Sequence, residues 1–274
     1  MELWKSVLLG LVQGLTEFLP VSSSGHLVLF QHFLHFNAES PVTFSVVLHL
    51  GTLLSIVFVY QIKIRELMLY TFVACPRGIL KEGFQKTVWE DDRGRLVLFL
   101  IIGSIPTAII GVLFKDVFEK LFTNALCVSI ALIITGTMLY TTKIIKPRAG
   151  KMRVRAALIV GCVQGLAITP GISRSGSTIS AGMWAGLDRD FAADYSFLLS
   201  IPAVLGAMFL SLKDLSSQPL GNLPFLAMGF AVSFASGLLA LKLLLHFVRR
   251  GKLHIFAWYC WGVGILSLGG LLLG

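Results

Sequence analysis

Six stretches of the sequence stay apolar for about the 20 residues that one bilayer crossing needs: roughly 41–61, 96–114, 122–142, 191–212, 222–247 and 254–273. Two further stretches, 2–36 and 154–187, are apolar overall but break in the middle at a proline and a polar run. The first break reads Glu17-Phe18-Leu19-Pro20-Val21-Ser22-Ser23-Ser24-Gly25-His26, and the second Thr169-Pro170-Gly171-Ile172-Ser173-Arg174-Ser175. Each half-stretch of about 12–16 residues measures about 18–24 Å as a helix, short of a ~30 Å hydrocarbon core. The pattern therefore predicts two re-entrant helical hairpins, whose non-helical turns need protein or water around them.

The two broken stretches are copies of one another. At an offset of 151 residues, Gln13-Gly14-Leu15 falls on Gln164-Gly165-Leu166, Ser22 on Ser173, Ser24 on Ser175 and Gly25 on Gly176. The same offset carries Phe44-Ser45 onto Tyr195-Ser196. Further on, Phe99-Leu100, Gly103 and Gly111 match Phe225-Leu226, Gly229 and Gly237 at a smaller offset. Each half is then one hairpin plus three spans, about 1–145 and 152–274. An odd number of crossings turns the second half upside down. The expected fold is an all-α polytopic membrane protein, a single membrane domain with an inverted-topology repeat, in which broken helices meet near the midplane.

Composition agrees with lipid as the solvent. The 274 residues are 55% hydrophobic and only 14% charged, against about 25% charged in a soluble domain. That excludes an ordinary soluble domain and a disordered chain. Cys75, Cys127, Cys162 and Cys260 lie far apart, without metal-ligand spacing, and read as small packing residues. The net charge of +9 sits in short loops, so it argues for topology rather than nucleic acid. Seventeen Lys and Arg fall in 62–95, 143–155, at Arg189 and in 248–253, against four on the other side: Lys5, Lys115, Lys120 and Lys213. The positive-inside rule makes the first set cytoplasmic and both termini external. The basic loop at 62–95 is expected to meet anionic headgroups. The first apolar stretch, interrupted by Gln13, Thr16 and Glu17, does not read as a cleaved leader.

Ionisable groups at lipid depth are costly and mark function by default. Glu17, His26 and Arg174 all fall at the hairpin turns, among Ser22, Ser23, Ser24, Ser173, Ser175, Ser177 and Thr178. Gln13 and Glu17, four apart, share a helix face. Glu17 closes its helix where the dipole disfavours an anion, so it wants a cation, a role a divalent metal with oxygen ligands fills. Ser23 and His26, three apart, can approach on one face. Serine after Pro20 and at Ser173 opens a new helix. Two helix N-termini, a guanidinium fork and many hydroxyls form an oxyanion site, best matched to phosphate. With a metal-binding carboxylate and a Ser/His pair, phosphoryl transfer follows. Each part has a plainer reading. Serine turns often satisfy backbone groups, Arg174 and Glu17 can form a structural ion pair, and His49 reads as a hydrogen-bonded core residue.

At these residues the chain resembles the undecaprenyl-diphosphate phosphatase family of the bacitracin-resistance type. The carrying motifs are Gln13-x-x-x-Glu17 running into Pro20-Val21-Ser22-Ser23-Ser24-Gly25-His26, and Pro170-Gly171-x-Ser173-Arg174-Ser175-x-x-Thr178. The likeness continues through Phe197-Leu198-Leu199-Ser200-Ile201-Pro202. It implies removal of the terminal phosphate from a C55 polyprenyl diphosphate, with recycling of the carrier for peptidoglycan synthesis and bacitracin resistance. It implies Glu17, Ser23 and His26 as catalytic residues, with Ser173, Arg174 and Thr178 binding the diphosphate; Ser22, Ser24 and Ser175, in the same turns, are expected to bind substrate beside them. Glu17 and Gln13 would hold Mg2+ or another divalent cation such as Ca2+. Gln13 departs from the glutamate common there, which leaves its ligand role open. The implied location is the inner membrane, with the site on the extracytoplasmic side. The implied partners are the polyprenyl lipid and the bilayer, with no nucleic acid; a homo-oligomer is compatible with the sequence. Ser23 with His26 as base, His26 itself and a metal-bound water remain open as the attacking group. A transporter or flippase of a phosphate-bearing polyprenyl lipid is the alternative, because inverted repeats also build transporters. A pure scaffold would leave Glu17 and Arg174 without purpose at membrane depth.

Overall fold

The computed structural model describes residues 3–34, 41–145, 152–216 and 223–273, and among these it is helical with no strand. The helices are α1 (Leu3–Phe18), α2 (Ser23–Leu34), α3 (Pro41–Val59), α4 (Gln61–Leu69), α5 (Cys75–Glu82) and α6 (Asp92–Leu113). Then follow α7 (Lys115–Leu121), α8 (Ala125–Thr141), α9 (Val154–Leu166) and α10 (Arg174–Trp184). The last three are α11 (Arg189–Ser216), α12 (Leu223–Arg249) and α13 (Phe256–Leu273). Lys146, Arg148 and Lys151 lie outside the described residues, as does the side chain of Lys213.

Four helical stretches, in α6, α11, α12 and 253–273, are long and apolar enough to cross a bilayer; counting each bent pair as one span raises this to six. The bends lie at the ends of the spans expected at 41–61 and 122–142, which are filled by α3 and α8. After α3 the chain turns by 77° into α4 and α5, and α7 meets α8 at 99°. The turn between α7 and α8 is set by Asn124, whose side chain caps α8 by accepting from Cys127 N at 3.1 Å. The 62–95 stretch is mostly helical rather than a plain loop, with π-helical turns at Tyr70–Ala74 and Gln85–Glu90. The Tyr70 hydroxyl ties these turns together by donating to the Thr87 carbonyl. Asp91 caps α6: it accepts from Arg93 N at 2.8 Å and Gly94 N at 3.2 Å. Its carboxyl is held below the usual range, first by the hydrogen bond from the Arg93 side chain. Asp188 likewise receives Phe191 N at 2.9 Å and starts α11.

Packing is inside-out relative to a soluble protein. Large apolar side chains such as Ile101, Phe209, Leu239 and Leu266 are exposed on the outer faces, as lipid contact requires and water would not allow. The interior gathers Phe18, Ile56, Ile179, Phe197, Leu241 and Leu244 from α1, α3, α10, α11 and α12. Small residues let helix backbones meet where lipid offers no hydrophobic drive. A Cβ added at Gly10 of α1 would lie 2.8 Å from the Gly229 carbonyl of α12, and one at Gly161 of α9 would strike the Gly103 carbonyl of α6. Ser236 Oγ donates to Gly10 O at 3.3 Å, and Thr107 Oγ1 to Gly161 O at 2.8 Å. Each pair exchanges partners between the aligned halves: α1 packs on α12 as α9 packs on α6, and α3 on α12 as α11 on α6.

Candidate active site

Both polar breaks interrupt their helices where the motifs lie. Pro20 biases Leu19 away from helical backbone, and α1 stops at Phe18. The chain re-enters a helix through Ser22, a non-glycine residue at φ +68°. In the second break the positive φ, +94°, falls on Gly171 instead. The two turns thus reach the same end through different residues. Ser22 Oγ then accepts from Gly25 N at 3.2 Å, and Ser173 Oγ from Gly176 N at 3.1 Å. These equivalent bonds cap α2 and α10 as the sequence predicts.

The tips of the two arms touch. Ser22 Oγ accepts from Gly171 N at 3.1 Å, and Ser175 Oγ donates to the Phe18 carbonyl at 2.9 Å. Arg174 Nη2 donates to Glu17 Oε1 at 2.6 Å. The pair has a physical logic beyond attraction. Glu17 lies at the C-terminal end of α1 and Arg174 opens α10, so each charge sits at the unfavourable pole of its own helix. Each is compensated by the other. The remaining carboxylate oxygen, Oε2, receives Ser23 Oγ at 2.6 Å and Gln13 Nε2 at 2.9 Å. His49 Nε2 stands 3.9 Å from it.

Several predicted residues take places the sequence did not indicate. Ser23 and His26 share α2, yet Ser23 gives its proton to Glu17, and no hydrogen bond joins it to His26 among the described residues. His26 Nδ1 meets the Ser22 carbonyl at 2.8 Å and Nε2 meets Tyr259 Oη at 2.8 Å. Thr178, expected at the substrate, is fully buried, donates back to Arg174 O at 2.7 Å and pairs with Ser196 Oγ at 2.5 Å. It fastens α10 to α11. Ser173 and Ser175 are also buried and act on the turns, while Ser24 is half-buried with Oγ 3.3 Å from Ser22 Oγ. Tyr259 and His49 join the site without having been placed there. His49 does make the hydrogen bond expected of a core histidine, to Ser45 O at 2.8 Å. A histidine at span depth was the available signal for His49. Tyr259 gave none, being one aromatic residue in an apolar stretch.

No group of three His, Cys, Asp or Glu side chains gathers among the described residues. A divalent cation could instead be held by hard oxygens. Gln13 is fully buried, and its Oε1 has no hydrogen-bond partner. An orphaned carbonyl oxygen one helical turn from a carboxylate fits the oxygen chemistry of Mg2+ or Ca2+, with water and phosphate completing the sphere. Beside the site, His26, Leu29, Phe30, Phe33, Tyr259 and Val263 line an apolar groove between α2 and α13, of about 320 Å3.

The family described as bacitracin resistance protein BacA matches residues 6–266. A protein of Desulfatibacillum aliphaticivorans named undecaprenyl-diphosphatase is 45% identical over 267 residues, 96% of each chain. Those of Desulforapulum autotrophicum and Halothermothrix orenii, under the same name, are 44% and 42% identical over 273 residues, 98% of each chain. With a match of this length across the very turns that build the site, the chain belongs to the bacitracin resistance protein BacA family.

Proposed function

We propose that this chain is an integral-membrane phosphatase that hydrolyses undecaprenyl diphosphate to undecaprenyl phosphate and inorganic phosphate. The lipid carrier is thereby returned to cell-wall synthesis, and its turnover underlies resistance to bacitracin. The observation that carries the reading is the Ser23–Glu17–Arg174 line, with successive contacts of 2.6 Å, in a chain 42–45% identical to relatives named undecaprenyl-diphosphatase. A serine proton aimed at a carboxylate is a nucleophile with its base in place. Ser23 Oγ attacks the terminal phosphorus, Glu17 takes the proton, and the bridging P–O bond breaks to release the lipid monophosphate. Water then cleaves the phosphoserine. Among the described residues the guanidinium of Arg174 spends one hydrogen bond on Glu17, so the rest of its five-donor fork serves the phosphate. The N-termini of α2 and α10 add partial positive charge. Glu17 and Gln13 Oε1 would hold Mg2+, which offsets diphosphate charge when bound.

The architecture is read as an inverted repeat with two re-entrant arms. The exchange of partners between α1–α12 and α9–α6 supports it, as do the matched caps at Ser22 and Ser173. His49 stands ten residues before Val59, or about 15 Å along α3, which supports a carboxylate well inside the membrane, away from the basic 62–95 stretch. Together with the Lys/Arg count, this favours a site opening on the extracytoplasmic side of the cell membrane. The groove between α2 and α13 offers the prenyl chain a lateral path to lipid. The same exchanged packing favours a second reading, movement of a phosphate-bearing lipid across the bilayer.

The test is phosphate release from undecaprenyl diphosphate by purified protein, with and without a chelator. Ser23→Ala is expected to abolish release while lipid diphosphate still binds. Full release by Ser23→Ala would remove Ser23 as nucleophile, and no release by the wild type would favour transport.

A further inference from the structure

We infer that Tyr259 is the positioning residue for His26, holding its imidazole, in the tautomer that the Ser22 carbonyl sets, with Nε2 at the head of the apolar groove. The kinetic part of the inference rests on the phosphatase reading; the structural part does not. The Ser22 carbonyl can only accept, so at 2.8 Å it requires the proton on His26 Nδ1. A neutral ring then has a bare Nε2, and the Tyr259 hydroxyl 2.8 Å away donates to it. The two rings stack at 5.6 Å with planes 12° apart, so the phenol restrains orientation as well as hydrogen bonding. When the imidazole is charged, Nε2 donates and the same phenol oxygen accepts. Tyr259 thus satisfies both protonation states without moving the ring.

The placement matters because Ser23 already has its acceptor in Glu17. The bare Nε2 can only accept a proton, so His26 is left with that of the water that cleaves the phosphoserine: the water oxygen bonds to phosphorus, the Ser23 Oγ–P bond breaks, Glu17 returns its proton to Ser23 Oγ, and Nε2 takes the water's proton. Tyr259 is 48% exposed and lines the groove together with His26, Leu29 and Phe33. A lipid tail lying there sets its phosphate end beside the atom that Tyr259 holds. Such an outer partner fixes aim without touching the reacting phosphorus.

Tyr259→Phe keeps the stacked ring and removes the hydroxyl. With wild-type protein active on undecaprenyl diphosphate, the variant should lose about tenfold in kcat with KM within twofold. Independently of activity, 15N spectra of histidine-labelled protein in detergent should show a neutral His26 protonated at Nδ1. In the variant, the Nε2 resonance should move toward that of a nitrogen without a hydrogen bond. A kcat within twofold of wild type overturns the inference, and so does an unmoved Nε2 resonance. If the wild-type protein itself releases no phosphate, the phosphatase reading fails, and the spectra alone decide the role of Tyr259.

Discussion

The contact between Arg174 and Glu17 is where the two halves are electrically joined, and it can be weighed. The side chains are 19% and 9% exposed, with Nη2 and Oε1 2.6 Å apart. Arg174→Met strips Oε1 of its hydrogen bond and leaves Glu17 with Gln13 and Ser23 on the other oxygen. Neither of these carries charge, so the carboxylate becomes a buried anion at the negative pole of α1. Removing one partner of such a pair costs about 3–5 kcal/mol, whereas removing both is far cheaper. Glu17→Gln in the Arg174→Met background should therefore restore most of the loss, giving a coupling of at least about 2–3 kcal/mol. The assay is loss of helical circular dichroism in mixed micelles of mild and denaturing detergent, run on wild type, both single variants and the double variant. Additive effects, with coupling under about 0.5 kcal/mol, would refute the claim that this pair ties the arms together. Arg174→Lys separates charge from shape: it keeps the ion pair but loses the fork, so KM should rise while stability stays nearer wild type.

Gln13 probes the cation. Gln13→Glu should lower the Mg2+ concentration giving half-maximal phosphate release, and Gln13→Leu should raise it; identical titrations for all three proteins would dismiss Gln13 as a ligand. The crossing of α6 and α9 is a packing test. A side chain at Gly161 meets the Gly103 carbonyl and Pro106 Cγ, so Gly161→Leu should destabilise by about 1–3 kcal/mol. Gly206, with open space around it, should accept alanine with no loss in the same detergent titration.

The sequence alone determined the solvent and the chemistry. Apolar runs of bilayer length, Lys and Arg concentrated in short stretches, and runs of polar residues at two proline breaks are properties of the linear chain. They follow from the cost of placing backbone and charge in hydrocarbon, which acts locally on each segment. The serine caps were legible for the same reason, since Ser22 and Ser173 bond an amide three residues on. What each functional group touches was decided by tertiary structure. Spacing along α2 suggested Ser23 with His26, but the hydroxyl goes to Glu17 across the break and the imidazole to Tyr259 on α13. Thr178 looked like a ligand in the motif and is a bolt between α10 and α11. A helix fixes which residues share its own face, while hydrogen-bond partners are chosen by which other helices arrive there. The bends after α3 and before α8 were hidden likewise, because hydropathy records how long a run is and not the direction it takes.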